Sequence, residues 1–300
     1  MNIKDIFLGD DGKLRGGWRI AVYIPFLLIS VTMTSIIISF LAMKSEVVLG
    51  EEHFLLLAIS SNIFLIAVTL TCGWLCLRWF EGLTARALGI TPGKQGLADF
   101  FKGLLLGAVA MIIAVAIGAM TGAISFSTSV AMPPLIAHSV LSSMLLLVPA
   151  ALMEEVLFRG YVLQTLERSG RSYAWLAVIA TSSFFAFAHL SNPNAELFGF
   201  GTLNTALAGV WFSLAYFRTG SLWLPFSMHF IWNWLQGPIF GLPVSGLAQF
   251  SQNSLLVATD NGPGWISGGQ YGLEAGIACT IALGISIILI ASVKDRNRDQ

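Results

Sequence analysis

Residues 145–164 read LLLVPAALMEEVLFRGYVLQ, two adjacent glutamates and an arginine inside a run otherwise suited to hydrocarbon. The composition around this stretch decides its solvent. Of 300 residues 56% are hydrophobic and only 11% charged, and the mean hydropathy is +0.78. Soluble domains carry about 25% charge, so the chain is an integral membrane protein. An ionised side chain at mid-bilayer costs about 2.5 to 3.5 kcal/mol, which puts Glu154, Glu155 and Arg159 together at roughly 7 to 10 kcal/mol if independent. Groups that costly mark either a function or a buried ion pair. Glu155 and Arg159, four apart on a helix, have the spacing of a pair; Glu154 is left over.

Apolar runs long enough to cross a bilayer lie near 20–43, 54–79, 100–124, 136–166, 173–190, 199–217, 222–240 and 272–293. This predicts an all-α polytopic membrane protein of about eight transmembrane helices around an intramembrane polar cavity. Residues 1–300 read as a single membrane domain, with the motif-bearing core at about 135–293. Placed on this topology, every Lys and Arg of the 16 except Lys44 and Arg159 falls on one face. By the positive-inside rule both termini are expected to be cytoplasmic. The first span is too long for a signal-peptide core and reads as a retained anchor. The stretch from Gly237 to Gly272, rich in Gly, Pro, Ser and Asn, reads as an irregular outer cap with a short interfacial helix.

Depth brings further polar residues into play. The fourth span continues through Tyr161 and Leu166 to a turn near Gly170, so Glu154 lies 16 residues before that turn and His189 19 after it. At 1.5 Å per residue these are heights of about 24 and 28 Å, which predicts that the two groups stand level across a hairpin. In the seventh span His229 and Asn233 share a helix face. A carboxylate in a half-dry cavity takes a proton from water, an imidazole orients that water, and an imidazole with an amide can donate to a developing oxyanion. Those are the parts for adding water to an amide carbonyl. The GxSxG of serine hydrolases and the HExxH of zinc proteases are both absent. A divalent metal such as zinc would have to be held from separate helices, for example by Glu155, His189 and His229; the residue types allow this and equally allow a metal-free site.

The remaining features read as structural. Cys72, Cys76 and Cys279 are expected to be small buried hydrophobes. His53 and His138 sit at span edges, and Glu196 and Asp260 read as solvated loop charges. Trp18, Trp79 and Trp223 fit an interfacial belt, while Gly103, Gly107 and Gly118 fit close helix packing.

Three motifs on separate helices carry a resemblance. Glu154-Glu155-Val-Leu-Phe-Arg159 is similar to the EExxxR signature of the CAAX prenyl protease and bacteriocin-processing family, also called the abortive-infection family of intramembrane proteases. Phe185-Ala-Phe-Ala-His189 resembles its FxxxH motif and His229-Phe-Ile-Trp-Asn233 its HxxxN motif, in the family's order. The likeness runs from about Leu145 to Glu274, including Asn204, RTGSLWLP and GGQYGLEAG, and more loosely LRGGWR and RALGITP. It implies an eight-helix peptidase in which Glu154 activates water with His189, His229 and Asn233 form the oxyanion site, and Glu155 and Arg159 hold the arrangement. It also implies a peptide or protein substrate at the bilayer, lipidated or membrane-associated, no nucleic-acid partner, and a bacterial cytoplasmic membrane location. Two other classes compete: a proton-coupled transporter, which would be expected to show repeated halves that this sequence lacks, and a non-catalytic immunity or binding protein.

Overall fold

The computed structural model describes residues 6–9, 11–44 and 51–293, with the backbone alone for 41–44, 51–55 and 171–172. The side chains of Lys44, His53 and Arg171, the N-terminal Lys4 and the C-terminal Lys294, Arg296 and Arg298 lie outside the described set.

Helices dominate. In chain order they are α1 (Gly16–Lys44), α2 (Glu51–Cys76), α3 (Gly93–Met120), α4 (Pro133–Glu155), α5 (Tyr161–Arg168), α6 (Arg171–Ala188), α7 (Phe200–Thr219), α8 (Trp223–Trp234), the short α9 (Gly264–Ser267) and α10 (Ile277–Ala291). Wider π turns follow three of them without a break, at Leu77–Glu81 after α2, Val156–Gly160 between α4 and α5, and Leu235–Ile239 after α8. The fourth expected span is therefore two helical pieces joined through the EExxxR stretch. Five stretches among the described residues are long and apolar enough to cross a membrane: Gly16–Phe40, Leu56–Glu81, Ala85–Met120, Pro133–Arg168 and Tyr173–Ser191. The last three expected spans are helical but shorter or more polar. The seventh, α8, has 12 residues before its π turn, and the eighth, α10, has 15 and begins at Ile277 rather than at 272.

By its contacts the chain forms two compact units, residues 1–90 with 149–177 and residues 91–148 with 178–300. In the first, Tyr23 and Leu27 of α1 pack with Cys72 and Cys76 of α2, Leu77, Leu88 and Tyr161. The Tyr23 and Tyr161 rings stand 4.5 Å apart. The outer side of α1 exposes Val22, Leu28, Ile29, Met33, Ile36 and Ile37, an apolar face of the kind a membrane-spanning helix turns to lipid.

In the second unit α8 is buried from Leu224 to Phe230 around its whole circumference, as a helix at the centre of a bundle must be. α3 lies against it because glycine removes the side chains between them. A Cβ at Gly107 would stand 2.6 Å from the Met228 carbonyl oxygen, and one at Gly103 would collide with Leu224 and Ser227. Gly118 serves another purpose than helix packing, making room for Ile124 of a strand. That strand, β1 (Ile124–Thr128), pairs antiparallel with β2 (Leu256–Asp260), with Phe126 opposite Ala258. The stretch expected to be an irregular cap is thus pinned by a two-stranded ribbon, and α9 supplies its short helix.

The bland readings hold in most places. Cys72, Cys76 and Cys279 are buried and free, while His138, Glu196 and Asp260 are exposed. Trp18 and Trp79 are exposed at span ends. The Trp223 indole N–H donates to the Thr91 carbonyl at 2.7 Å, anchoring the start of α8 to the chain just before α3.

Candidate active site

The first unit carries Glu154, Glu155 and Arg159 on consecutive turns. The Arg159 guanidinium donates from Nη1 to Glu155 Oε1 at 3.0 Å, with both side chains fully buried. The expected pair exists, and it closes across the π turn. Gln164, itself buried, donates from Nε2 to the Arg159 carbonyl at 3.1 Å. The Phe158 ring lies 5.8 Å from the guanidinium carbon. Glu154, one residue before Glu155, remains half-buried, so the adjacent glutamates occupy different surroundings as the helical phase requires.

The second unit brings His189, His229 and Asn233 together. His189 opens the 3₁₀ turn that ends α6, and its Nδ1 donates to the Phe185 carbonyl at 2.8 Å. A carbonyl can only accept, so in the neutral ring the proton sits on Nδ1 and Nε2 is the nitrogen able to take another. The phenylalanine of FxxxH thereby orients the histidine through its main chain, and its ring centroid lies 4.6 Å from the imidazole. His229 is held by aromatic faces: it stacks on Phe212 at 4.9 Å and 22° and meets Phe185 edge-on at 5.9 Å. Asn233 follows one turn further along α8.

These three residues line a common cavity of about 30 Å³ with Asn204, Ser245 and Glu274. That is room for about one water molecule, and its polar lining offers the hydrogen bonds such a water needs. The Glu274 carboxylate is fixed by Gln236 Nε2 at 2.9 Å, by the Ser245 hydroxyl at 3.0 Å and by the Ser245 main-chain N–H. Ser245 sits at φ +48°, a backbone region that side chains rarely adopt, and its carbonyl accepts from Asn192 at 3.0 Å. Asn204 donates to the carbonyls of Glu274 and Gly276 and accepts from Thr280, which secures the chain entering α10.

Sequence reasoning included Asn204 and Glu274 only as part of a general likeness. An acidic residue at the head of an apolar span was the available signal for Glu274. Nothing in the sequence pointed to Ser245, whose role depends on a loop conformation.

Of the candidate metal ligands Glu155, His189 and His229, Glu155 gives its Oε1 to the buried Arg159 guanidinium. Among the described residues no three His, Cys, Asp or Glu side chains are grouped to hold a metal.

No curated protein matches the chain. The model of one protein family, described as type II CAAX prenyl endopeptidase Rce1-like, matches residues 139–235, roughly a third of the chain. The matched segment contains all three motifs, from Glu154 through His189 to Asn233. Residues 139–235 of this helical membrane protein are therefore similar to the Rce1-like type II CAAX prenyl endopeptidases.

Proposed function

We propose that the protein is an intramembrane endopeptidase that hydrolyses a peptide bond of a membrane-associated or lipidated substrate with water activated by Glu154. The observation that carries this reading is the cavity of water size bordered by His189, His229 and Asn233, three residues that lie within a segment matched to an endopeptidase family. In this mechanism the Glu154 carboxylate takes a proton from water while His189 orients it. The hydroxide adds to the carbonyl carbon, and the carbonyl electrons move onto oxygen. His229 and Asn233 donate to that oxyanion. When the oxyanion collapses, the C–N bond breaks and the proton held by Glu154 passes to the leaving amine. Glu155 and Arg159 keep the turn in place.

The experiment compares wild type, Glu154→Gln, His189→Ala and the double variant, reconstituted in liposomes with a lipidated peptide pool read by mass spectrometry. Removing a general base costs about 10²- to 10⁴-fold in turnover. Residues that act as a unit lose far less in combination than the product of their single losses. An active Glu154→Gln protein, or losses that multiply, would overturn the assignment. The expected orientation, with both termini cytoplasmic in a bacterial membrane, is tested by cysteine labelling of intact cells. A cysteine at Asn261 should react from outside and one at Gln300 should not.

A further inference from the structure

The first unit contains a second cavity that the peptidase chemistry does not use. It has a volume of about 820 Å³, within the size range of small-molecule sites, and is built where the chain enters α1. Its floor is a charge cluster. Glu81, at the end of the π turn after α2, accepts ion pairs from Arg19 of α1 at 3.1 Å and from Arg168 of α5 at 2.9 Å. Lys13 donates to the Glu81 carbonyl at 3.1 Å. Arg15 lines the same space, its Nε donating to the Leu8 carbonyl at 3.0 Å. Among the described lining residues, Lys13, Arg15, Arg19 and Arg168 thus stand against Asp11 and Glu81 alone. A helix staple needs one cation per carboxylate. Here a nearly buried glutamate holds two guanidiniums, whose side chains are 12% and 31% exposed, while Lys13 and Arg15 add positive charge at the exposed side.

The rim has the opposite character. Trp18, Tyr173 and Leu176 line the cavity and are themselves substantially exposed, and Val22 continues the exposed apolar side of α1 one turn further on. A cationic floor under an apolar, aromatic rim at the end of a membrane-spanning helix matches an amphiphile with an anionic head. Close packing fixes the cavity wall: Gly16 leaves the space that the Ser169 hydroxyl occupies, and the Trp18 indole is tied to the Ile6 carbonyl at 3.0 Å.

We propose that this cavity binds the phosphate head of an anionic membrane lipid, with its acyl chains lying along the exposed face of α1. The site is independent of the peptidase reading.

The test uses the full-length protein in non-ionic detergent, titrated with phosphatidylglycerol or with phosphatidylcholine of identical chains, and native mass spectrometry to count retained lipids. One phosphatidylglycerol should be retained in preference to phosphatidylcholine. Each basic group at an anionic head contributes roughly fivefold in affinity, so Lys13→Gln with Arg15→Gln should weaken retention about thirtyfold. The Glu81 ion pairs are left in place by these changes. Should the double variant fold poorly by thermal melting, Arg15→Gln alone alters one exposed side chain and should lose about fivefold. Arg78→Gln with Arg86→Gln removes the same charge outside the cavity and should leave retention unchanged. Equal retention of the two lipids, or an equal effect of the outside pair, overturns the site. Inorganic phosphate raising the melting temperature as much as phosphatidylglycerol overturns the lipid assignment.

Discussion

The turn that holds Glu155 and Arg159 and the neighbourhood of His229 place polar groups in apolar surroundings by different means. In the turn a carboxylate and a guanidinium, both fully buried, compensate each other directly at 3.0 Å. Around His229 the means is shape: one ring stacked beneath, another edge-on, and a small polar cavity on which the imidazole borders. The first arrangement joins opposite charges, and the second brings close ring packing to the imidazole. The difference teaches which substitutions each region tolerates. A region held by charge should fail when one sign is removed and recover when both are. A region held by packing should respond to volume.

The largest effect is expected in the turn. Breaking a buried pair by removing one partner costs about 3 to 5 kcal/mol, so Arg159→Met or Glu155→Gln should each lower stability by that order in detergent melts. The double variant Glu155→Met with Arg159→Met should regain most of the loss, because replacing a whole buried pair with apolar side chains is often neutral. Additive losses would show that the turn, too, depends on packing.

A smaller effect is expected where α3 meets α8. Gly107→Ala places a methyl group against the Met228 backbone, one residue before His229. Overpacking of this kind costs about 1 to 3 kcal/mol. Peptide turnover should fall along with the melting temperature, since the segment pushed aside carries the histidine. Undiminished turnover would separate the helix contact from the site.

The smallest effect is expected from Phe212→Leu, which keeps an apolar side chain but removes the stacked ring. Aromatic pairs contribute about 0.5 to 1.5 kcal/mol beyond the area they bury. The loss should show mainly in turnover. If Phe212→Leu instead destabilises as strongly as Arg159→Met, the contrast between the two regions is lost.

The sequence disclosed these regions unequally. The Glu155–Arg159 pair was legible because both partners lie within one helical turn, and the long spans were legible because runs of apolar residues have few alternatives. Gly103 and Gly107 declared a close approach, though their partner on α8 was not readable from them. The ribbon of Ile124–Thr128 with Leu256–Asp260 was missed because its partners are far apart in the chain and short strands leave a faint alternation. Ser245 and Glu274 were missed as members of the cavity for a related reason. What makes them part of it is a left-handed serine in a long connection, and loop conformation has no periodic signature. The motif residues could be picked out by type and cost, whereas the groups that support them are known only through three-dimensional contact.

The π turn at Val156–Gly160 sets how insertions and deletions act here. Such a turn holds one residue more than an α-helical turn, so the segment after it is rotated by about one residue's angle, roughly 100°, from the course α4 would have set. Tyr161, Gln164 and Thr165, which share one buried side of α5, and the buried Leu163 are aligned by that offset. Losing a single residue between Glu155 and Arg159 would leave the composition of the stretch almost unchanged, yet it would swing those side chains away from their neighbours. The spacing in EExxxR is therefore a length constraint on everything that follows it in the helix, and point changes inside the xxx segment should be better tolerated than any change in its number of residues.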